Sequence, residues 1–389
     1  MVYLDNAATS FRKPPGVIHR MEEALRRYGA NPGRSGHALS EAAGARVFEA
    51  RQKAADFFGV SDCAKVFFTL NCTHALNFII KGALQQGDHV ILSCFEHNSV
   101  LRPVHELWRR GVVSYSVADV VEGDDERTVK NFEALIRQDT RLIICTHASN
   151  VCGIRLPIEG ICRMAHQYGI AVLVDAAQTA GVLPIDVEKM GIDYLCTAGH
   201  KGLYGPTGTG LGIVGCDRPL ATLFEGGTGS ASLELTQPEV YPDRMESGTV
   251  NTVGILGLLG GLEFVSSLGM ERIHTHEMGL TRLLYDRLAR VPGVRLKTRR
   301  PDNAHYVPVL CFEIEGMPSE EVVRALNGMG FAVRGGYHCA PLAHEKLKSL
   351  ENGLVRVSVG VYNKSEEILR FAAAVERCAA LAAGKRRTE

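Results

Sequence analysis

The feature that most restricts the fold of this chain is an alternation of short apolar runs with helical segments between about residues 60 and 215. The apolar runs are KVFFT, HVILSC, RLIICTHAS, IAVLVDAA, DYLCTAG and GLGIVG, and amphipathic segments such as THALNFIIKGAL and IEGICRMAHQYG lie between several of them. Strands that are apolar throughout are typical of a largely parallel sheet covered by helices on both faces. The pattern therefore predicts an α/β domain whose ligand binds at the strand ends.

A second unit is predicted after residue 260, where the rhythm changes. The long helical segment MERIHTHEMGLTRLLYDRLARV is followed by a strand, a helix, two strands and a final helix from about Ser365 to Ala383. A chain of 389 residues is long enough for one large domain and a smaller one. We predict a large α/β domain over residues 16–261 and a small α+β domain formed by residues 1–15 and 262–389. The charged end GKRRTE is expected to fray.

The charge balance restricts the partners. Lysine plus arginine equal aspartate plus glutamate at 43 each, so no net field attracts nucleic acid or an anionic membrane. The chain has no run of eighteen apolar residues, and its first residues, MVYLDNAATSFRKPP, lack a signal-peptide pattern. We expect a soluble, cytoplasmic protein whose partners are small molecules or other proteins.

The cysteines predict buried side chains with one exception. Eleven cysteines are scattered without a CxxC pair, mostly inside apolar runs, which favours buried thiols over disulfides or a metal site. The exception is Cys339 in the segment RGGYHCAPL, which has two glycines upstream, a neighbouring histidine and a proline two residues later. Composition alone would bury this thiol too, so its role depends on the rest of the chain.

A lysine and an aspartate indicate a cofactor. Lys201 follows an apolar run and precedes four glycines and a proline in TAGHKGLYGPTGTG, and Asp175 ends the run IAVLV 26 residues upstream. A carboxylate at the end of a buried strand requires a cationic partner. The two suit pyridoxal phosphate, since the lysine can form an imine with the cofactor and the acid can keep its pyridine nitrogen protonated. Each alone has a simpler explanation, because most lysines are exposed and Asp175 could cap a helix.

A phosphate group could bind where a helix starts after the run VFFT. Residues 71–74, NCTH, open an amphipathic segment there, and helix N-termini present free N–H groups and a positive dipole to anions. Many strand-to-helix turns share this property, so the signal is weak by itself.

Nine motifs along the chain carry a family resemblance. In order they are YLDNAAT, NPGRSGHALS, EHNSV, HASNVCG, VDAAQ, GHKGLYGPTG, ESGTVNT, RGGYHCAPL and VRVSVGVYN. The chain resembles the class V aminotransferase family over nearly its whole length. More closely it is similar to the cysteine desulfurases, and within them to the Suf-type (group II) branch, whose reactive cysteine lies in an R-x-G-x-H-C-A segment. The resemblance implies a pyridoxal-phosphate-dependent transferase of fold type I, with the cofactor in the large domain.

The resemblance also implies roles at the cofactor. Lys201 would be the Schiff-base lysine and the base that moves the substrate's Cα proton, and Asp175 would pair with the pyridine nitrogen. Gln178 would hydrogen-bond the ring hydroxyl, and His97 would stack on the ring and take part in proton transfer. Phosphate-binding roles fall on Thr73, His74, His200 and, from the other subunit of a homodimer, Thr249.

The resemblance also implies that Asn150 and Arg356 bind the substrate's carboxylate and that Arg334 is a candidate for a supporting positive charge. Cys339 would attack the substrate's Sγ as a thiolate and become a persulfide while alanine leaves. His97 also fits a helix cap, Arg356 an exposed strand position and Asn150 a turn.

Three details of the site stay open. Ala198 stands where the family usually has a phosphate-binding serine, and Thr197 beside it is an uncertain substitute. The segment NCTH replaces a glycine and paired threonines. His338 is next to Cys339 in sequence, but neighbours on an extended chain point opposite ways, so adjacency does not make it the base for Cys339.

The leading hypothesis is a cysteine desulfurase that acts on L-cysteine and passes sulfur to an acceptor protein. Selenocysteine lyase activity is a close variant. Another reaction of the family, such as transamination, kynureninase-like cleavage or epimerisation, would leave Cys339 incidental. A non-catalytic scaffold is disfavoured by the intact lysine, aspartate and arginine.

Overall fold

The computed structural model of the protein describes residues 1–33 and 36–386. The motif NPGRSGHALS therefore lies partly outside the described residues, at Arg34 and Ser35, as do the last three residues of the segment GKRRTE.

The main sheet of the described chain has seven strands in the order β2-β8-β7-β6-β5-β3-β4. The strands are β2 (Val66–Thr69), β3 (Asp88–Ser93), β4 (Val113–Ala118), β5 (Thr140–Thr146), β6 (Ala171–Asp175), β7 (Tyr194–Ala198) and β8 (Gly210–Val214). The strands β3 to β7 pair in parallel, and β8 runs antiparallel to both of its neighbours. The predicted α/β fold with a mostly parallel sheet is confirmed.

Helices cover both faces of this sheet. They are α1 (Pro15–Arg27), α2 (Ala38–Phe57), α3 (Cys72–Ala83), α4 (Asn98–Arg109), α5 (Asp125–Glu133), α6 (Ile158–Gln167), α7 (Val187–Met190) and α8 (Thr252–Leu268). Along β5, Ile143 and Cys145 pack in one apolar core, while Leu142 and Ile144 pack in another. Successive side chains of a strand point to opposite faces. A strand buried on both faces therefore needs an apolar residue at nearly every position, which explains why the apolar runs in the sequence are continuous.

Helix α8 was not predicted, and its glycines explain why. The segment GILGLLGGLEF contains glycines that ordinarily weaken a helix. Here they allow close packing, because a Cβ on Gly260 would lie 2.9 Å from the carbonyl oxygen of Gly16 in α1, and one on Gly261 would collide with the carbonyl of Leu203. Helix α8 thereby supports the turn that follows Lys201 from behind.

The C-terminal part has its own sheet and core. The remaining elements are α9 (Met270–Leu288), β9 (Val294–Leu296), β10 (Val309–Ile314), α10 (Ser319–Gly328), β11 (Phe331–Ala332), α11 (Pro341–Lys346), β12 (Val355–Ser358) and α12 (Ser365–Arg386). Strands β9, β10 and β12 form an antiparallel sheet, and β1 (Val2–Tyr3) pairs in parallel with β11. The N-terminal strand thus joins the C-terminal elements. The domain boundaries at residues 15 and 261 stay a prediction.

None of the helices in residues 1–33 and 36–386 is by itself long and apolar enough to cross a membrane. Helices α8 and α9 meet that standard only as a pair, and they bend by 80° where they meet.

Candidate active site

Asp175 and Lys201 lie at the ends of neighbouring strands. Asp175 ends β6, pairs with Cys196 of β7 in the register of the sheet, and is buried. Its Oδ1 accepts hydrogen bonds from the backbone N–H of Ala177 at 2.9 Å and from the thiol of Cys72 at 3.4 Å. Lys201 follows β7 by three residues. Loss of hydration lowers the pKa of Lys201, and the Asp175 carboxylate partly opposes that change. A lysine of lowered pKa is a better nucleophile and base near neutral pH.

His97 caps helix α4 and also faces this pair. Its Nδ1 accepts a hydrogen bond from the backbone N–H of Ser99 at 3.0 Å and lies 2.8 Å from the Ser99 hydroxyl. Desolvation lowers the pKa of His97 to about 4, and the charges that act on it include Asp175 and Lys201. The neutral ring therefore carries its proton on Nε2. The sequence left a capping role and a site role as alternatives, and the structure combines a cap with proximity to the pair.

The start of helix α3 offers hydroxyl and backbone donors. Asn71 caps the helix by accepting from the backbone N–H of His74 at 2.9 Å, and the Thr73 hydroxyl lies 2.7 Å from that of Ser99. The His74 ring turns toward Phe78, with ring centroids 5.0 Å apart, and lines a cavity of about 190 Å³ with Thr249 of the same chain. The predicted reach of Thr249 into a second subunit stays a prediction.

The N-terminal segment packs against two other predicted cofactor residues. The Nδ1 of His200 lies 3.0 Å from the hydroxyl of Thr9, and Gln178 donates from Nε2 to the carbonyl of Ala7 at 3.1 Å. Desolvation lowers the pKa of His200 to about 4. The motif YLDNAAT at the start of the chain is thus a wall of the site.

Thr197 does not take the place of the missing serine. Its hydroxyl is fully buried and donates to the carbonyl of Ala176 at 3.3 Å. Adjacent strand residues face opposite sides of a sheet, so Thr197 points away from the face occupied by Ala198. The Ser99 hydroxyl, beside Thr73 and His97, is a donor that the sequence analysis did not identify.

Arg356 is held rigidly in strand β12. Its side chain is almost completely buried, its Nη1 donates to the carbonyl of Asn150 at 2.9 Å, and its Nη2 donates to Asp5 at 2.7 Å. Its Nε is buried and has no hydrogen-bond partner among the described residues. Burial lowers the pKa of Arg356, and Asp5 opposes that change. The alternative of an ordinary exposed strand position is wrong, because Arg356 is buried. The backbone of Arg334 pairs with that of Arg356. Asp5 was missed, although it lies in a quoted motif.

Cys339 is the one exposed thiol among the eleven cysteines, all of which lie in the described ranges. Its φ is +56° and that of His338 is +50°. A non-glycine residue in the left-handed region costs roughly 1–2 kcal/mol. Hydrogen bonds offset this strain: the backbone N–H of Asn98 donates to the carbonyl of Cys339 at 2.7 Å, and Asn150 donates to that of His338 at 2.8 Å. The segment is therefore not extended, although the sequence analysis treated His338 and Cys339 as neighbours on an extended chain. The two neighbours nevertheless differ in environment, since His338 is buried and Cys339 is exposed.

Glu96 is a buried acid beside the site that sequence reasoning also missed. It accepts hydrogen bonds from the backbone N–H of Thr146 at 2.7 Å and from the hydroxyl of Ser93. Burial raises the pKa of Glu96 to about 8, with Asp175 adding to that change. The sequence could have indicated Glu96, because it lies in the quoted motif EHNSV one residue before His97.

The fold and the site define a transferase with a largely parallel α/β sheet, a lysine–aspartate pair at the strand ends and an exposed thiol on a neighbouring loop. The chain belongs to the class-V aminotransferase family, whose sequence model matches residues 2–371, and within that family to the cysteine desulfurases. The predicted family is confirmed, and the Suf-type branch stays a prediction.

Sequence relatives and solved structures support this assignment. A probable cysteine desulfurase of Methanothermobacter thermautotrophicus is 34% identical over 98% of this chain and 95% of its own length. One of Mycolicibacterium paratuberculosis is 35% identical over 97% of this chain, which spans only 55% of that longer relative. The apo cysteine desulfurase of Thermococcus onnurineus has a TM-score of 0.88 at 30% identity, covering 97% of this chain and 94% of that one. For cysteine desulfurase CsdA of Escherichia coli the TM-score is 0.86 at 28% identity, with the same coverage.

Proposed function

We propose that this protein is a pyridoxal-phosphate-dependent cysteine desulfurase that converts L-cysteine to L-alanine and receives the sulfur on Cys339. One observation carries the proposal. The exposed thiol sits on a loop bonded to Asn98, next to His97, and to Asn150, whose carbonyl binds Arg356. The loop that carries the candidate nucleophile is therefore joined through His338 to the candidate substrate ligand Asn150, which is itself bonded to Arg356.

The side chains present fit pyridoxal phosphate. Asp175 is a buried carboxylate beside a lysine of lowered pKa, which is the donor set needed for the ring nitrogen and the imine. His97 would lie on the ring, and Gln178 would bind its hydroxyl. The phosphate would be held by the start of α3 with Thr73, His74 and His200, and by Thr249 of a second subunit. When bound, the cofactor supplies a ring that stabilises negative charge at the substrate's Cα.

The protein's own groups divide the remaining work. Arg356 would bind the substrate carboxylate, with its unpartnered Nε as the available donor. Lys201 would take the proton from Cα and return protons to the product. The Cys339 thiolate would then attack the substrate's sulfur, so that an S–S bond forms while the C–S bond breaks and its electron pair stays with carbon. Protonation of that carbon gives alanine.

The direct test uses Cys339→Ala with L-cysteine and a thiol reductant. We expect the variant to keep the visible absorbance of the lysine-bound cofactor and to lose sulfide and alanine production, because the acceptor sulfur is gone. Cys216→Ala, at a half-buried thiol outside the loop, should retain full activity. Undiminished sulfide release by Cys339→Ala would show that the nucleophile is wrong. The same assay with L-selenocysteine would show whether the enzyme prefers that substrate, as a selenocysteine lyase would, or L-cysteine.

We further propose a cytoplasmic homodimer that delivers sulfur to an acceptor protein. Large apolar side chains are exposed on α1, on α2 and on the segment 224–240, and they are Ile18, Leu25, Leu39, Phe48, Phe224, Leu233, Leu235 and Val240. Exposed apolar side chains mark a protein interface where they form a contiguous patch, and burial of these residues against a second copy is what supports the proposed dimer. Light scattering should give twice the 42.3 kDa chain mass, and a monomer at micromolar concentration would refute the dimer.

A further inference from the structure

Behind the Cys339 loop lies a buried chain of three polar side chains. The Nδ1 of His338 is 3.3 Å from the Nε2 of His344, and the Nδ1 of His344 is 2.8 Å from the hydroxyl of Ser349. The two imidazole rings are nearly parallel, at 8°, with centroids 5.5 Å apart. All three residues are buried. His344 and Ser349 belong to α11 and the turn after it, so they hold the loop from its C-terminal side.

The contacts determine where the hydrogens lie. The Nε2 of His338 is 3.4 Å from the carbonyl oxygen of Arg334, which can only accept, so Nε2 carries the proton. The Nδ1 of His338 then accepts from the Nε2 of His344. The Nδ1 of His344 accepts from the Ser349 hydroxyl at 2.8 Å, which is nearer than the other acceptor of that hydroxyl, the His344 carbonyl at 3.4 Å. Burial favours this neutral form, and it lowers the pKa of His338 to about 2 and that of His344 below its ordinary value. Neither His338 nor His344 therefore has a free imidazole nitrogen that could accept a proton from Cys339.

We propose that His344 is a positioning residue for the nucleophile: its N–H to His338 fixes the left-handed segment that presents the Cys339 thiol. The proposal rests on the proposed role of Cys339. The carbonyls of His338 and Cys339 are already bonded to Asn150 and Asn98, so the backbone is tied on the pocket side. On the opposite side, the imidazole of His338 holds the loop through its hydrogen bond with His344. Without it, consecutive left-handed residues lack the surroundings that hold such a conformation in place.

The test compares four variants of the full-length holoenzyme. His344→Phe keeps the ring but removes the donor, His344→Gln restores an N–H near the position of Nε2, and Ser349→Ala removes only the end of the chain. His105→Phe makes the same change at an exposed histidine of α4. Hydrogen exchange of the backbone amides of residues 336–340 is measured without substrate, and kcat and KM are measured with L-cysteine.

We expect His344→Phe to speed exchange of these amides at least tenfold and to lower kcat about 10- to 100-fold, since a small displacement of a reacting group has effects of that size. The KM should change less than twofold. His344→Gln should recover most of both losses, Ser349→Ala should fall between, and His105→Phe should match the wild type.

Unchanged exchange and kcat in both His344→Phe and Ser349→Ala would overturn the proposal. So would equal losses in His344→Phe and His344→Gln, because these would reflect ring packing and not the hydrogen bond. The exchange arm does not depend on turnover. If Cys339→Ala still released sulfide, the proposed function would fail while the exchange data would still decide whether His344 orders the loop.

Discussion

The Lys201–Asp175 end of the site and the loop that carries Cys339 are stabilised in different ways. Asp175 ends a buried parallel strand, and Lys201 follows the neighbouring strand, so the sheet itself brings the two together. The Cys339 loop lies outside the strands, has two left-handed residues and is held by hydrogen bonds to Asn98, Asn150 and His344. The first region depends on the apolar core, whereas the second depends on a few polar contacts. The two should therefore respond separately to mutation.

The largest effect is expected from a mutation that alters the Lys201–Asp175 region and leaves the Cys339 loop unchanged. Asp175→Asn removes the buried negative charge, and loss of one preorganised electrostatic group typically costs 10²–10³-fold in kcat. Alkylation of Cys339 by iodoacetamide, followed by mass spectrometry, should stay within twofold of wild type because the loop contacts are unaltered. Asp186→Asn, at the cap of α7, is the matched control and should keep kcat. A large change in Cys339 alkylation would show that the two regions are coupled.

Acidification should affect both regions through buried neutral histidines. Burial lowers the pKa of His147 to about 3 and that of His338 to about 2, against an ordinary value of 6.5. At these two groups the unfolded chain binds protons first, so their contribution to stability is complete above pH 6.5 and falls as the pH drops below it. Each histidine contributes a slope of about 1.4 kcal/mol per pH unit.

Glu96 and Glu277 oppose this loss of stability, because burial raises the pKa of each to about 8 and the folded protein binds those protons first. His97 and His200, whose pKa values are lowered to about 4, add to the loss. Chemical denaturation should therefore give a lower free energy of unfolding at pH 5 than at pH 7, and a flat profile would contradict it.

A smaller effect is expected at the junction of the two regions. Asp5→Asn removes the charge that pairs with Arg356, whose guanidinium is buried, and a hydrogen bond to a charged group contributes about 1.5–3 kcal/mol. We expect the free energy of unfolding to fall by about 2 kcal/mol and KM for L-cysteine to change. Asp217→Asn, which breaks the exposed pair with Lys65, should cost less than about 1 kcal/mol. Equal losses in urea titrations of the two variants would argue against a special role for Asp5.

The smallest effect sharpens the description of the loop. Gly336 has a φ of +95° and room for a Cβ, so Gly336→Ala tests conformation without a clash. We expect destabilisation of about 1 kcal/mol, together with faster exchange at residues 336–340. Gly16→Ala in helix α1 also has open space and lacks a positive φ, so it should stabilise the protein by up to about 1 kcal/mol. Identical denaturation midpoints for the two variants would show that the loop is not strained at Gly336.

The same contrast explains how far the sequence predicted the molecule. Continuous apolar runs identified strands β2, β3 and β5–β8, because burial on both faces leaves a local signal. Strand β4 was missed because it is an edge strand of mixed exposure, and α8 because its glycines serve distant packing. Lys201, Asp175 and Cys339 were found from motifs. The burial of Arg356 and the contacts of His338 with His344 depend on tertiary neighbours, which no local pattern records.

The pairing of the N-terminal strand β1 with β11, and of Asp5 with Arg356, has a consequence for biosynthesis. Asp5 and Arg356 are separated by 351 residues. At 5–20 residues per second, a ribosome needs on the order of 20–70 seconds to make that interval. The segment around Asp5 must stay available for pairing throughout that interval, while the large sheet can already form. A chaperone that holds the segment around Asp5 would therefore delay the pairing of Arg356 with Asp5 more than the assembly of the lysine–aspartate pair.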